Sequence, residues 1–415
     1  MQVRTGLVVA VVVAALAGAA VVGYDTVTAS GGTLTEEWVS DTPRPNQVNH
    51  HSVAAVRINN RTIIAAPVSS VGGSSGAKCA LVMLDGTGTV EWERTIRNRS
   101  CATHGIGDPT IADLDGDGEP DVLVPTTENV LYGYDVNDGT ETLRFDLTSF
   151  GYSAPAVLAE PVRRAVVADF NGSVFAVRPD GTVAWRDRVA AGVTADTRKA
   201  DFDGDGGPEV AVSAPGNVTL YEPNGSVVWE RSVYAAFAAS GSVDGAQTLF
   251  VATGDGVAAL DGATGATEWR WNTSNNRPAI HALGDGDGDG SKELYVTTGD
   301  GNLDALSART GEVEWHAGLS TEDSVTPPPA LGDLDGDGES ELVTVTNGGA
   351  VSVRDPANGN RLTSYERDVA VWTHPTLVDL DGDGIDEVLV MYGDGRVVAL
   401  SYDSSRGRPA AAIET

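Results

Sequence analysis

A nine-residue acidic phrase, Asp113-Leu-Asp115-Gly-Asp117-Gly118-Glu-Pro-Asp121, returns four more times along the chain, from Asp201, Asp285, Asp333 and Asp379. Each copy has acids at positions 1, 3, 5 and 9, has Gly at position 6, and runs straight into a short apolar segment such as Asp121-Val-Leu-Val or Glu387-Val-Leu-Val. A chain that repeats one phrase in one context folds as an array of one unit, so its length does not set a domain count. Four carboxylates within nine residues repel one another unless a cation sits among them. Oxygen-only ligands on a tight Gly turn suit Ca²⁺, which takes about 6–8 hard oxygens.

The expected ligands are Asp113, Asp115, Asp117 and Asp121; Asp201, Asp203, Asp205 and Glu209; Asp285, Asp287, Asp289 and Glu293; Asp333, Asp335, Asp337 and Glu341; and Asp379, Asp381, Asp383 and Glu387. That makes up to five Ca²⁺. The spacing resembles the start of an EF-hand loop, but the last acid comes at position 9 instead of 12 and a strand follows instead of a helix.

The full unit is clearest in TIADLDGDGEPDVLVPTTENVLYGYDVNDGTETLRF. It reads as strand, acidic loop, strand, short turn, strand, Asp-Gly turn, strand, and no segment sustains a helical period. An aromatic marks the fourth strand of each unit: Trp38, Trp92, Phe145, Trp185, Trp229, Trp269, Trp315 and Tyr365. Their spacings of 40 to 54 residues match four-stranded propeller blades. Three units carry a shorter link in place of the acidic loop, at Asn59-Asn60, Glu160-Pro161 and Asp244-Gly245. The last unit stops after three strands, while Thr33–Trp38 stands alone as a fourth strand at the N-terminus. Joining Thr33–Val39 to the segment near Arg396–Ser401 predicts an all-β, eight-bladed propeller over residues 31–405; the rival count is seven blades with one degenerate unit. Closure removes the unpaired edge of an open ring.

The acidic units resemble FG-GAP/VCBS repeats of integrin-type propellers. The phrase Gly256-Val-Ala-Ala-Leu-Asp-Gly-Ala-Thr-Gly-Ala-Thr-Glu-Trp269 resembles the quinoprotein-like (PQQ-like) repeat. The resemblance implies that acidic loops lie on one face of the disc. The turns between strands two and three, and the blade-to-blade loops, then lie on the other, where function usually sits. On that face fall Cys79 and Cys101, which an oxidising exterior would pair as a disulfide, against two separate thiols. His50, His51, His104 and His374, with His281 further in, could converge near the channel as a metal or ligand site, or simply line a wet funnel. Trp271 and Trp372 would stack on sugars or pack in the core. PQQ dehydrogenases of this fold carry an adjacent Cys-Cys pair that this chain lacks, which argues against quinone binding.

Acidic residues number 59 against 27 basic ones, for a net charge of −32. This excludes a nucleic-acid partner, since phosphate backbones are bound by Lys and Arg. The acid excess, with three Lys in the whole chain, resembles a haloarchaeal-type surface protein. Residues Gly6 to Gly23 carry no charge. They predict an N-terminal hydrophobic helix within residues 1–30, read as a membrane anchor, or as a signal segment cut after Ala29. Either places the chain outside the cell, up to a tail at 406–415. Six Asn-x-Ser/Thr sequons, at Asn60, Asn98, Asn171, Asn217, Asn224 and Asn272, fit a glycoprotein.

The expected function is that of an extracellular Ca²⁺-binding module that scaffolds or adheres to a protein or glycan partner at the cell surface. The alternatives are a propeller enzyme (polysaccharide lyase or quinoprotein dehydrogenase) or an envelope protein assembly factor. No catalytic residues are assigned.

Overall fold

The computed structural model describes residues 31–71, 77–159, 163–273, 277–319 and 326–404. The predicted N-terminal helix, the cleavage position and the C-terminal tail lie outside the described residues. Among those described, no helix is long and apolar enough to cross a membrane.

Among the described residues, thirty-two strands form eight antiparallel four-stranded sheets, each built from four consecutive strands except at the seam. Blades one to seven span 54–95, 110–146, 156–188, 198–231, 237–272, 279–318 and 330–366. Blade eight takes three strands from Thr376–Asp403 and its outermost strand from Thr33–Val39. That strand pairs Thr33 with Asp403 and Val39 with Val398. Each inner strand touches those of both neighbouring blades, and the series closes from blade eight back to blade one.

The two middle strands of a blade are covered on both sides by neighbouring blades. They therefore read as unbroken apolar runs, such as Glu209–Ser213 and Val218–Tyr221, which are buried throughout. The outermost strand has a solvent side and mixes exposed with buried positions, as in Val227–Arg231. Blades one and five replace the acidic loop with two-residue turns. Their central residues, Asn59 and Asn60 (φ 50° and 64°) and Asp244 and Gly245 (φ 51° and 87°), are all left-handed. That is the type I′ turn that suits the twist of a hairpin. Part of the corresponding link in blade three, Glu160-Pro161, lies outside the described residues.

A bulge recurs between the third and fourth strands of every blade. Beside it sits the structural staple of the ring. Six indoles, Trp38, Trp92, Trp185, Trp229, Trp269 and Trp315, each donate Nε1–H to a carbonyl in the third-to-fourth-strand turn of the next blade. Each ring lies over a glycine of that turn: Gly88, Gly139, Gly225, Gly265, Gly311 or Gly359.

Register corrects the sequence reading at two of the eight aromatics. Opposite the bulge, blade two places Leu143 and blade seven places Thr363, and Phe145 and Tyr365 fall two residues further on. Blade seven faces the seam, where the third-to-fourth turn is replaced by the two chain ends. Among the described residues, no turn carbonyl is there to receive an indole. Instead the Tyr365 hydroxyl donates to Glu36, and the Tyr402 hydroxyl donates to the carbonyl of Gly31.

Candidate functional site

The five acidic loops share one hydrogen-bond frame. The Asp at position 1 accepts the N–H of the Gly at position 6 in all five, with Gly206 N–H to Asp201 Oδ2 at 3.1 Å and Gly338 N–H to Asp333 Oδ2 at 3.0 Å. The Asp at position 3 accepts from the N–H of position 5, and position 5 from that of position 7. The Gly at position 6 is left-handed, with φ of 92° at Gly206, and a Cβ there would meet nothing within 4 Å. Backbone conformation, not space, requires the glycine.

Carboxylate oxygens of Asp113, Asp115 and Asp117 lie within 4.8 Å of one another, as do those of Asp285, Asp287 and Asp289. The same holds for Asp201, Asp203 and Glu209, and for Asp333, Asp335 and Glu341. The acid at position 9 uses one oxygen to accept the N–H of position 2, as in Phe202 N–H to Glu209 Oε2 at 2.7 Å. In Glu209 and Glu293, which are 0% and 1% exposed, the other oxygen is buried without a hydrogen-bond partner. Burial, then the neighbouring aspartates, pushes Glu293 and Glu387 up to about 7 and Glu341 up to about 8. A buried carboxylate oxygen with no donor, ringed by further carboxylates, has the chemistry of a hard-cation ligand.

The opposite face is built differently. Cys79 and Cys101 form a disulfide with a Cα–Cα distance of 5.3 Å. It ties the strand two-to-three loop of blade one to the loop leading into blade two. Three residues past Cys101, His104 meets His50 and His51, which precede the inner strand of blade one. His51 Nε2 is 3.3 Å from His104 Nδ1, and His50 Nε2 faces the same atom. Tyr152 packs its ring against His51 and His104, with centroids at 4.5 and 4.9 Å. Burial, then the neighbouring imidazoles, lowers His50 to about 4 and His104 to about 3.

Towards the channel, His281 stacks on His374 with centroids 4.1 Å apart. A cleft of about 110 Å³ opens there among His50, Asp108, Tyr152, Asp196, Arg198 and His281. Burial and the proximity of Asp108 raise Asp196. Burial alone would also raise Asp108, yet His51 and the Ser52 N–H hold it below the usual range. A second cleft, of about 210 Å³, adjoins the first and is mostly apolar, with Pro278, Pro327 and Pro328 beside Tyr234, Phe237 and Trp372. These three aromatics are 46%, 39% and 39% exposed.

Of the candidates from sequence, His316 sits apart on an outer strand, 2.8 Å from Asp304. Trp271 packs against the core of blade five, and only Trp372 reaches the clefts. Asn217 is buried, with its amide on Thr219 and Glu230, so that sequon is not displayed. Sequence reasoning missed Tyr234, Phe237, Tyr152, Asp108, Asp196 and Arg198. Their only sequence signal is position in a blade-to-blade loop or, for Arg198 and Phe237, at the first residue of an inner strand, which many other residues share.

No curated protein matches the chain by sequence. Among solved structures, BamB from Moraxella catarrhalis superposes with a TM-score of 0.63 at 17% identity, covering 89% of this chain and 98% of that one. The V. cholerae biofilm matrix protein Bap1 gives 0.67 at 13% identity, covering 91% and 92%. The quinohemoprotein alcohol dehydrogenase from Comamonas testosteroni gives 0.61 at 13% identity, covering 91% and 77%. At these identities the likeness is one of fold. The family model described as outer membrane protein assembly factor BamB matches residues 112–240 and 171–406, together more than half of the chain. With its eight blades and PQQ-like repeats, the chain belongs to that family.

Proposed function

We propose that this protein is an extracellular, membrane-anchored propeller that binds a protein partner through the face opposite its acidic loops, with Ca²⁺ stiffening the hairpins. The observation that carries this reading is the exposed group Tyr234, Phe237 and Trp372 around a proline-walled cleft. Aromatics of this kind anchor protein interfaces because they bury much area at little rotamer cost. The apolar lining favours a protein side chain over a glycan, which would need more convergent polar groups. Membership of a family described as an assembly factor is consistent with a protein partner. The Ca²⁺ part, and with it the FG-GAP-like character of the acidic units, draws on the donorless buried oxygens of Glu209 and Glu293. Anchoring through residues 6–23, a haloarchaeal-type acidic surface and glycosylation at the displayed sequons complete the reading.

The test is capture from native envelopes followed by affinity measurement. Phe237→Ala with Trp372→Ala should weaken the captured protein by at least about 30-fold, equivalent to about 2 kcal/mol. Retention of full affinity, or capture of polysaccharide alone, sinks it. In parallel, chelation should lower the melting temperature, and Asp335→Ala should remove one Ca²⁺ without unfolding the ring; calorimetry that is blind to Ca²⁺ removes the metal part.

A second reading, a propeller enzyme, draws on the paired carboxylates Asp108 and Asp196, which their surroundings push in opposite directions beside Arg198 and His281. Such splitting assigns acid and base roles. The cleft of about 110 Å³ is small beside the roughly 300–1,000 Å³ of sites for cofactor-sized ligands. This disfavours the quinoprotein form and leaves a polymer-cleaving lyase as the enzymatic alternative.

A further inference from the structure

We propose that His50, His51 and His104 form a site for one first-row transition cation of the Zn²⁺ class, separate from the acidic loops and independent of the partner-binding reading. The three rings come from two blade-to-blade loops, and one nitrogen of each lies within 4.8 Å of the others.

Outer groups fix which nitrogens point inward. His50 Nδ1 is 2.8 Å from the carbonyl oxygen of Val48, which can only accept, so Nδ1 carries the hydrogen and Nε2 keeps its lone pair. Asp108 Oδ2 lies 3.2 Å from His51 Nδ1, off the alignment of a good hydrogen bond but near enough to favour the hydrogen on that atom. His51 Nε2 is thereby also a lone-pair donor. Both Nε2 atoms face His104 Nδ1. A plain hydrogen-bonded cluster has one hydrogen, on His104 Nδ1, for two acceptors. A cation satisfies all three.

One separation matches that of metal-bound nitrogens, while His50 Nε2 stands closer to His104 Nδ1 than a bound cation would set it. Zn–N bonds of about 2.0–2.1 Å in tetrahedral geometry set ligand nitrogens about 3.3 Å apart, and His51 Nε2 and His104 Nδ1 are 3.3 Å apart. Three imidazoles select Zn, Cu or Ni over Ca²⁺, which takes oxygen. Asp108 behind His51 is the carboxylate–histidine arrangement that orients metal-bound rings. It is held in turn by the Ser52 N–H at 2.9 Å and the Ser52 hydroxyl at 3.2 Å.

The frame is rigid before any metal arrives. His51 is 1% exposed. The disulfide anchors the His104 loop through Cys101, and a Cβ on Gly105 would come within 2.5 Å of Cys79 Sγ, so the loop seats on the sulfur itself. His50 and Tyr152 also line the cleft of about 110 Å³. The site therefore borders solvent, as a three-ligand centre with a water-filled fourth position requires.

The test is Zn²⁺ titration calorimetry on the full, tag-free chain with Ca²⁺ saturating, so that the acidic loops are occupied. One Zn²⁺ per chain is expected. His104→Ala should abolish it, and Asp108→Asn should weaken it about 10- to 100-fold. Should a variant fail to fold by circular dichroism, Co²⁺ on the unaltered protein replaces it. Visible bands of nitrogen-ligated Co²⁺, bleached by Zn²⁺ but not by Ca²⁺, support the site. No Zn²⁺ retained under Ca²⁺, an unchanged stoichiometry in folded His104→Ala, or no displaceable Co²⁺ band overturns it.

Discussion

The indole staple between blades four and five makes a quantitative prediction. Trp229 is 6% exposed and donates to the Gly262 carbonyl at 2.7 Å. Its ring covers Gly265, whose φ is +66° and whose Cβ, if it had one, would stand 2.6 Å from Trp229 Cδ2. Gly265→Ala therefore incurs two costs. Left-handed backbone for a residue with a Cβ is about 1–2 kcal/mol. Forcing the ring away is an overpacking cost of about 1–3 kcal/mol, so the total is about 2–5 kcal/mol. Gly245 separates the two. Its φ is +87° and nothing lies within 4 Å of its virtual Cβ, so Gly245→Ala should cost only the backbone term, about 1–2 kcal/mol. Trp229→Ala should cost about 3–5 kcal/mol by truncating a buried aromatic. In the double variant Trp229→Ala/Gly265→Ala the collision has no partner, so the two effects should fall short of additivity by about 1–3 kcal/mol. Urea midpoints at fixed Ca²⁺, with the slope checked for each variant, give all four values. Equal costs for Gly265→Ala and Gly245→Ala, or an additive double variant, would refute the staple.

Two further outcomes follow from links elsewhere in the ring. The Cys79–Cys101 bridge spans 22 residues between buried ends. Replacing both by Ala should cost about 3 kcal/mol by loop-closure entropy and weaken Zn²⁺ binding at His104; an unchanged melting temperature speaks against it. Asp394 takes Arg367 Nη2 at 2.7 Å and Arg396 Nη1 at 3.0 Å, clamping blade eight to blade seven. Burial alone would raise this carboxyl, but Arg367 chiefly holds it below its ordinary value. A depressed folded value contributes stability above the unfolded value of about 3.9 and loses it as pH falls through the folded one. Asp394→Asn should cost about 1–3 kcal/mol near neutrality and flatten the acid limb of the stability curve. Parallel wild-type and variant curves across that limb would contradict this.

What sequence revealed, and what it hid, divides along physical lines. The unit, its period and the complementary strand counts at the two ends are local patterns, so the closed eight-bladed ring was legible from them. The fourth-strand aromatic was legible only where the position four residues after the turn glycine is itself aromatic; after Gly139 and Gly359 that position holds Leu143 and Thr363. The turn read in NDGTETLRF drew attention to Phe145, but the bulge opposite Gly133 puts Leu143 in the stapling position. At the seam the missing turn left Thr363 with nothing to staple, which no spacing rule anticipates. That the loop histidines could converge was legible from their place between blades, but which of them meet was not. His50 and His104 stand 54 residues apart and meet because the blade between them returns the chain to the same face. The exposed patch was hidden, since Tyr234 and Trp372 lie in loops entering blades five and eight, Phe237 opens the inner strand of blade five, and only the folded ring sets them around one cleft.

The position of the seam bears on how such a disc would sit on a cell. The acidic loops, and the shorter links that replace them in three blades, follow the inner strands, and two strands later the chain is back on that same face to begin the outermost strand. In blade eight that outermost strand begins at Thr33, paired with Asp403. Both ends of the described ring therefore leave from the rim of the acidic face. A tether in residues 6–23, as proposed above, would reach the ring from this side and turn the acidic loops towards the bilayer. The disulfide, the three histidines and both clefts would then point outward, where a partner has free approach. The acidic loops are also where charge repulsion is densest, and an anionic bilayer would add to it. Ca²⁺ held among those carboxylates would neutralise charge on the membrane-facing side while leaving the binding face untouched. In this arrangement chelation should loosen the disc and its seating together. The aromatic patch would act separately, through its exposed rings.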